Sequence, residues 1–331
     1  MTKILIVKLG AKGDVVRTLP ILIGIKEKYP NSEIFWLTKQ NCKEILSTSE
    51  YIQKILILPC EINENFDILY NFDTEEEATS LAMKISAGKK YGFYRTDGYV
   101  SAFNLPAEYY LNTLFDDDLK KTNKKTYQEM MFEVAELPYN KQHYPLELKE
   151  KDKKYGENFV KKNKIDKGKL IGIHMGAGPR WPSKAWAEEK IKEFIKKAKE
   201  KSYEIILFGG PDEIEKHEKI TEELKEQNIK IYQNNPRNSD KEFASLVNIC
   251  KAVICSDSFA LHISLALKKP TIGLFFCTSP DEVEDYGILK KIVSPLLYKF
   301  FPEKQDQFSE ELVNSISAEE VLKEVEESIK F

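Results

Sequence analysis

The chain has 331 residues, of which 42% are hydrophobic and 31% charged, and its formal net charge is −3. The length exceeds one typical core and fits about two domains, and the composition is that of a folded globular protein rather than a disordered one. A balance this close to neutral supplies no basic field for nucleic acid.

The first predicted element is a buried strand at residues 4–7, an apolar run bracketed by Lys3 and Lys8. It is far shorter than a secretory h-region and is closed by Gly10, Lys12 and Asp14, so it reads as a first strand and not as a signal peptide. A helix is expected over residues 15–29. Pro20 either kinks a helix begun at Asp14 or sits in the first turn of one begun after Thr18. Strands follow at 33–37, 55–58 and 68–72. Thr126-Tyr127-Gln128-Glu129 is a capping box opening a helix through Leu137, which Pro138 ends. Residues 140–152 are polar, contain Pro145 and break the alternation. They are read as the linker between a domain at 1–150 and a second at 151–331, and they run into a helix near 154–163.

The second half restarts with a strand at 170–174, then a helix at 187–199, a strand at 204–208 and a helix at 212–226. A short strand is expected at 229–232, a helix at 240–250, a strand at 252–255, a helix at 259–267 and a strand at 271–275. Ser317-Ala318-Glu319-Glu320 caps a terminal helix to Ile329. Repeated βα units in each half predict two parallel α/β sheets. No window reaches the roughly 18 apolar residues of a membrane span. Five cysteines (Cys42, Cys60, Cys250, Cys255, Cys277) form no C-x-x-C pair, which argues against zinc and for buried free thiols in a reducing cytoplasm.

Four stretches carry chemistry. In Gly10-Ala11-Lys12-Gly13-Asp14 a glycine turn after a strand delivers a carboxylate to a helix start. Asp14 is then either a general base on an attacking hydroxyl or a plain N-cap; the two readings are compatible and both stand. His174-Met175-Gly176-Ala177-Gly178 lets backbone approach a ligand, and Lys184, inside Trp181-Pro182-Ser183-Lys184-Ala185-Trp186, is a point charge for a phosphate or a solvated lysine. Phe208-Gly209-Gly210-Pro211-Asp212-Glu213 places Glu213 in a first helical turn, where it either accepts from ribose hydroxyls or complements the helix dipole. In Ser256-Asp257-Ser258-Phe259-Ala260-Leu261-His262 the amides of Ser258, Phe259 and Ala260 begin a helix suited to a diphosphate, with His262 one turn in. There is no G-x-G-x-x-G and no Walker A loop, so a dinucleotide dehydrogenase and a P-loop enzyme are set aside.

Taken in this order, Leu9–Val16 with Thr18-Leu19-Pro20, the Gly176-Ala177 turn, the tryptophan-bracketed Lys184, the Gly-Gly-Pro-Asp-Glu turn, Ser256-Asp257-Ser258 with His262, and Pro270 with Gly273-Leu274-Phe275 resemble glycosyltransferase family nine, the ADP-heptose:lipopolysaccharide heptosyltransferases. The resemblance runs from Met1 to about Tyr286 and is poorest between Tyr91 and Pro145. It implies a GT-B fold, two Rossmann-like domains facing a central cleft, and an inverting, metal-independent transfer without a cofactor. By matching position it implies Asp14 as base, with Gly10, Ala11, Lys12 and Gly13 on the acceptor side. It implies Lys184 on the donor phosphate, Glu213 on the ribose and Asn238 near adenine. Gly176, Ala177, Asp257, Ser258, Phe259, Ala260 and His262 complete the donor pocket.

The implied partners are a nucleotide sugar, ADP-heptose, and a lipid-linked or oligosaccharide acceptor, in the cytoplasm with peripheral contact at the inner membrane. Phe259 stands where the family carries glycine, and Lys12 where it carries an aliphatic residue. A transferase of the same fold using another nucleotide sugar for another surface glycan, or a non-catalytic nucleotide-sugar-binding protein, are the competing readings. Asp116-Asp117-Asp118 resembles the metal-binding triplet of a different glycosyltransferase class, but it lies beside Lys120, Lys121, Lys124 and Lys125 and is expected to be a solvated loop.

Overall fold

A computed structural model describes residues 1–176, 178 and 180–330. The chain divides into two compact units, one of Met1–Glu147 with Asp281–Glu284, the other of Leu148–Pro280 with Asp285–Phe331. The short return of Asp281–Glu284 into the first unit was not foreseen. It is held by the Tyr127 N–H donating to the Glu282 carbonyl (2.8 Å) and by the Tyr139 hydroxyl donating to Glu284 Oε2 (2.8 Å).

The first unit is a six-stranded sheet made of β1 (Lys3–Val7), β2 (Glu33–Thr38), β3 (Lys54–Ile57), β4 (Phe66–Asn71), β5 (Ala87–Thr96) and β6 (Tyr99–Ala102), in the order β3-β2-β1-β4-β5-β6. All pairs are parallel except β5 with β6. Ile4, Leu5, Ile6 and Val7 are fully buried, as expected of a strand central to a sheet covered on both faces. The predicted helix over 15–29 is two helices, Lys12–Thr18 and Ile21–Lys28. Pro20 has no N–H to continue the ladder, so the chain turns at Leu19-Pro20 and restarts.

Between β4 and β5, Gly92 has φ +90°, and a Cβ there would lie 1.9 Å from the Asn71 carbonyl oxygen. Only glycine permits this approach. The Asp116–Asp118 triplet is not a loop: Asp116 accepts from the Leu119 N–H (3.0 Å) and caps the helix Asp117–Thr122. Of the five thiols expected to be buried, Cys60 is exposed.

The second unit is an all-parallel sheet of β7 (Leu170–His174), β8 (Glu204–Phe208), β9 (Tyr232–Gln233), β10 (Ala252–Ser256), β11 (Thr271–Phe275) and β12 (Leu289–Val293), in the order β12-β11-β10-β7-β8-β9. Helices Glu188–Glu200, Ile214–Glu226 and Ala318–Ser328 turn their apolar stripes onto it, burying Phe194, Ile195, Ile220, Leu224 and Val321. The terminal helix begins where its capping signal stands, with Ser317 accepting from the Glu320 N–H. No described helix is long and apolar enough to cross a membrane.

Candidate functional site

In the first unit the site is built at the carboxyl end of β1. Ala11, in extended conformation, is the N-cap of Lys12–Thr18, so Asp14 is the third helical residue. The N-cap reading of Asp14 is therefore corrected: the carboxylate stands in the first turn, where the positive helix end favours it without the chain needing it as a cap. Its side chain is 36% exposed, and Oδ1 lies 2.8 Å from Arg17. The Arg17 guanidinium sits over the Tyr127 ring, its Cζ 3.8 Å from the centroid, and the Tyr127 hydroxyl shares a hydrogen bond with Thr18 (2.8 Å). Arg17 thus has a fixed orientation toward Asp14.

A second carboxylate, Asp73, was missed by the sequence reading. It is buried just beyond β4 and its Oδ2 accepts from the N–H groups of Leu9 and Gly10, both at 2.8 Å. A Cβ at Gly10 would meet Asp73 Oδ2 at 3.4 Å and Asp14 Oδ2 at 3.6 Å, so the two carboxylates flank this glycine. The buried Lys8 ammonium donates to the Phe72 carbonyl (3.0 Å) and lies 3.8 Å from Asp73. Burial alone would push this ammonium toward neutrality, but Tyr127, Asp73 and Asp14 outweigh burial and raise its pKa. The signal available was an aspartate directly after the apolar run of β4. Gly10, Ala11, Lys12 and Gly13 form the turn and first helical residues around these carboxylates.

In the second unit the predicted residues gather at the carboxyl ends of β7, β8 and β10. Lys184 lies in a short 3-10 turn, Pro182–Lys184, whose loop is moored from below. Ser183 is fully buried; its hydroxyl donates to the Gln307 carbonyl (2.8 Å) and accepts from the Ser309 N–H (2.9 Å). The Trp186 indole donates to the Ile316 carbonyl (3.1 Å). So restrained, the Lys184 ammonium donates to the Asp257 carbonyl (2.7 Å) and lies 3.1 Å from Asp257 Oδ2. The other oxygen of Asp257 is 3.9 Å from His262 Nε2, and His262 is buried. Lys184, Asp257 and His262 therefore form one contiguous polar group.

The helix Phe259–Ala266 starts beside this group, with Ser258 as an extended N-cap whose side chain makes no capping bond. Its first amides include those of Phe259 and Ala260. The Phe259 ring stacks on Phe243 (5.6 Å between centroids, 29°), and Phe243 in turn meets Phe208 and His174 edge-on. Burial, reinforced by the nearby His217, pushes His174 down to about 4.

Glu213 closes the short turn Pro211–Glu213, rather than lying in the following helix, and its Oε2 accepts from the Gly210 N–H (2.7 Å). Gly176 lies directly against it: a Cβ there would be 2.6 Å from Glu213 Oε1. Gly209 is fixed by Asn234, which both accepts its N–H and donates to its carbonyl, each at 3.0 Å. Asn238 spends its amide on Tyr155 (2.7 Å) and Glu242 (3.1 Å), its oxygen accepts from Asn234 (3.3 Å) and its backbone N–H donates to the Asn235 carbonyl (2.9 Å), so a ligand could meet only the remaining acceptor capacity of its side-chain oxygen or its backbone carbonyl. Ala177 lies outside the described residues. Among the described residues no group of three or more His, Cys, Asp or Glu side chains is placed to hold a metal ion.

The arrangement offers a carboxylate with a guanidinium beside it in one unit. The other supplies a restrained ammonium at a helix start and a carboxylate at a glycine-lined turn. Chemically these suit an attacking hydroxyl and an anionic leaving group, respectively.

The sequence model described as glycosyltransferase family 9 (heptosyltransferase) matches residues 61–313. Among characterised proteins, the lipopolysaccharide core heptosyltransferase OpsX of Haemophilus influenzae is 24% identical, over 87% of this chain and 83% of its own length. The crystal structure of a family 9 glycosyl transferase from Veillonella parvula superposes with a TM-score of 0.74 at 18% identity, covering 99% of this chain and 97% of that one. The structure of the Escherichia coli ADP-heptose lipopolysaccharide heptosyltransferase II gives 0.73, also at 18% identity, with 99% of each chain covered. These likenesses show the fold, the two parallel-sheet domains of the GT-B class.

Proposed function

The chain belongs to glycosyltransferase family 9 and is a glycosyltransferase, and we propose that it transfers heptose from ADP-heptose to an inner-core sugar of lipopolysaccharide, with inversion and without a metal ion. The observation that carries this reading is the Lys184–Asp257 pair at the start of the Phe259–Ala266 helix. A sugar diphosphate needs concentrated positive charge at its leaving oxygen. An ammonium held to a fixed position beside helix-start amides supplies it without a metal.

In this proposal the acceptor hydroxyl attacks the anomeric carbon, its proton passes to Asp14, and the bond from that carbon to the diphosphate oxygen breaks. ADP leaves with its new charge met by Lys184 and by the amides of Ser258, Phe259 and Ala260. No carboxylic acid is needed on the departing side, because a nucleoside diphosphate leaves readily as an anion. Arg17 neutralises part of the Asp14 charge and fixes its rotamer, so the carboxylate presents one oxygen consistently. Gly10, Ala11, Lys12 and Gly13 line the approach of the acceptor. Glu213 accepts from ribose hydroxyls with the oxygen that Gly210 leaves available, and Gly176 gives it room. Asp257 and His262 orient the donor sugar, and Asn238 addresses adenine. Such a transferase works on a lipid-anchored acceptor through peripheral contact with the cytoplasmic face of the inner membrane.

The stacking of Phe259 on Phe243 bears on the donor. With its ring committed to an aromatic neighbour, the residue keeps the helix start in place of the family glycine. The test is a transfer assay with ADP-heptose and deacylated inner core, in the presence of a chelator. Asp14→Asn is expected to lower the rate by about 10²–10⁴-fold while ADP still binds. Normal transfer by this variant would remove Asp14 from the role, and loss of wild-type activity on chelation would remove the metal-free mechanism.

A further inference from the structure

The amino edge of the second unit's sheet carries a cluster that the transfer reaction does not use. In the sheet order, β11, β10 and β7 are adjacent. The turn before each of them bears a lysine: Lys269 before β11, Lys251 immediately before β10, and Lys167 before β7. Adjacent parallel strands are spaced about 4.8 Å apart, so the three side chains leave the fold close together.

Each turn is rigid. The Lys269 N–H donates to the Ser264 carbonyl (2.9 Å), and Pro270 follows. The Lys251 N–H donates to the Leu170 carbonyl (2.7 Å). Lys167 opens a turn capped by Asp166, which accepts from the Gly168 N–H (2.9 Å).

These lysines, with Lys153, line a cavity of about 360 Å³ floored by Ile249 and Cys250, and Glu157 is the one carboxylate among its lining residues. Lys153 already has an acidic partner, Glu150 (2.7 Å). Among the described residues, Lys167, Lys251 and Lys269 have no ion-pair partner, whereas Lys197, Lys199 and Lys201, on or just after the helix Glu188–Glu200, are each matched to a glutamate. Partial burial pushes the half-buried Lys269 down; Cys250 acts against this, and the positive charges of Lys251 and Lys167 add to the lowering. Three lysines beside one cavity whose lining holds a single carboxylate, Glu157, repel one another unless a further anion joins them.

We propose that this cavity is a binding site for a phosphate-bearing anion, separate from the donor site at the opposite, carboxyl edge of the same sheet. The strands between the two edges are five residues long, about 16 Å. The cavity volume admits a small phosphorylated molecule or a lipid phosphate headgroup, and lysine recognises either as a point charge.

The test titrates the full chain with inorganic pyrophosphate in a Lys184→Ala background, which removes the ammonium of the donor site. Adding Lys167→Glu and Lys251→Glu, both at exposed positions, is expected to weaken pyrophosphate binding by about tenfold or more, with an unchanged circular dichroism spectrum. Sedimentation with vesicles of phosphatidylglycerol and phosphatidylcholine, with and without the two glutamates, identifies the source. Pelleting lost in the variant, with no pyrophosphate binding in either protein, assigns the cavity to a lipid headgroup. Pyrophosphate binding lost with no vesicle pelleting in either assigns it to a soluble phosphate. If neither pyrophosphate affinity nor vesicle pelleting changes, the proposal is wrong.

Discussion

Gly176→Ala isolates the contribution of Glu213 without touching that side chain. Gly176 is outside the left-handed region, so alanine brings no backbone strain, and the effect is steric alone. The new methyl would lie 2.6 Å from Glu213 Oε1 and 2.7 Å from its Cδ, where ordinary contact begins at 3.4 Å. The carboxylate must therefore withdraw, and it cannot do so while Oε2 accepts from the Gly210 N–H at 2.7 Å. A hydrogen bond to a charged group contributes about 1.5–3 kcal/mol. Because Glu213 is only half-buried, the expected loss is at the low end, about 1–2 kcal/mol in urea denaturation.

If the same carboxylate holds the ribose, ADP affinity measured by calorimetry falls about tenfold in parallel. The decisive comparison is the double variant. Once Glu213→Ala has removed the obstruction, adding Gly176→Ala should cost less than about 0.5 kcal/mol further. Should the two losses simply add, the glycine and the glutamate are independent and the account of this turn fails. Unchanged ADP affinity in Glu213→Ala would leave the turn standing and remove only the ribose contact.

Other expectations follow from the same geometry. Arg17→Lys keeps the charge but loses the guanidinium contact with the Tyr127 ring, so transfer should fall about tenfold to a hundredfold with ADP affinity unchanged; equal rates would show that Asp14 needs no such neighbour. Gly92→Ala forces a Cβ to 1.9 Å from the Asn71 carbonyl at φ +90° and should destabilise the first unit by about 3 kcal/mol or more, read as a shifted urea midpoint. His174 is held neutral at about 4, below the ordinary value of 6.5, so the unfolded chain binds its proton first. Stability from this group is complete above pH 6.5 and is lost as pH falls from 6.5 toward 4. His217 is displaced in the same direction by burial. His174→Phe should flatten the acid limb of the stability–pH curve over that window, and an unaltered limb would locate the titration elsewhere.

Much of the architecture is legible because most strands are short apolar runs closed by glycine or a polar residue. The strands at 170–174, 204–208 and 271–275 fall where their residues place them. The poorly matched stretch after Tyr91 hides a hairpin. β5 mixes lysine, tyrosine and glycine because much of it is half-exposed, so its period is blurred. A local signal was nonetheless present: Asp97-Gly98 takes positive φ at both residues, the turn that an aspartate–glycine pair favours between antiparallel strands. Asp14 shows the limit of local chemistry. Aspartate at a helix start reads as a cap, yet Ala11 occupies that place and Asp14 stands three residues further on, in the first turn. Asp73 could not be assigned from its neighbours, since its purpose depends on Leu9 and Gly10, more than sixty residues earlier.

The return of Asp281–Glu284 has a consequence for how the protein is made. During synthesis the first 147 residues emerge long before the four that complete their unit. Until then Tyr139 has no acidic acceptor from Glu284, and the Tyr127 amide no carbonyl from Glu282. A nascent first unit therefore waits on the ribosome, unfinished, while more than a hundred further residues are made, and a gene cut at position 147 would yield a fragment lacking its own last piece.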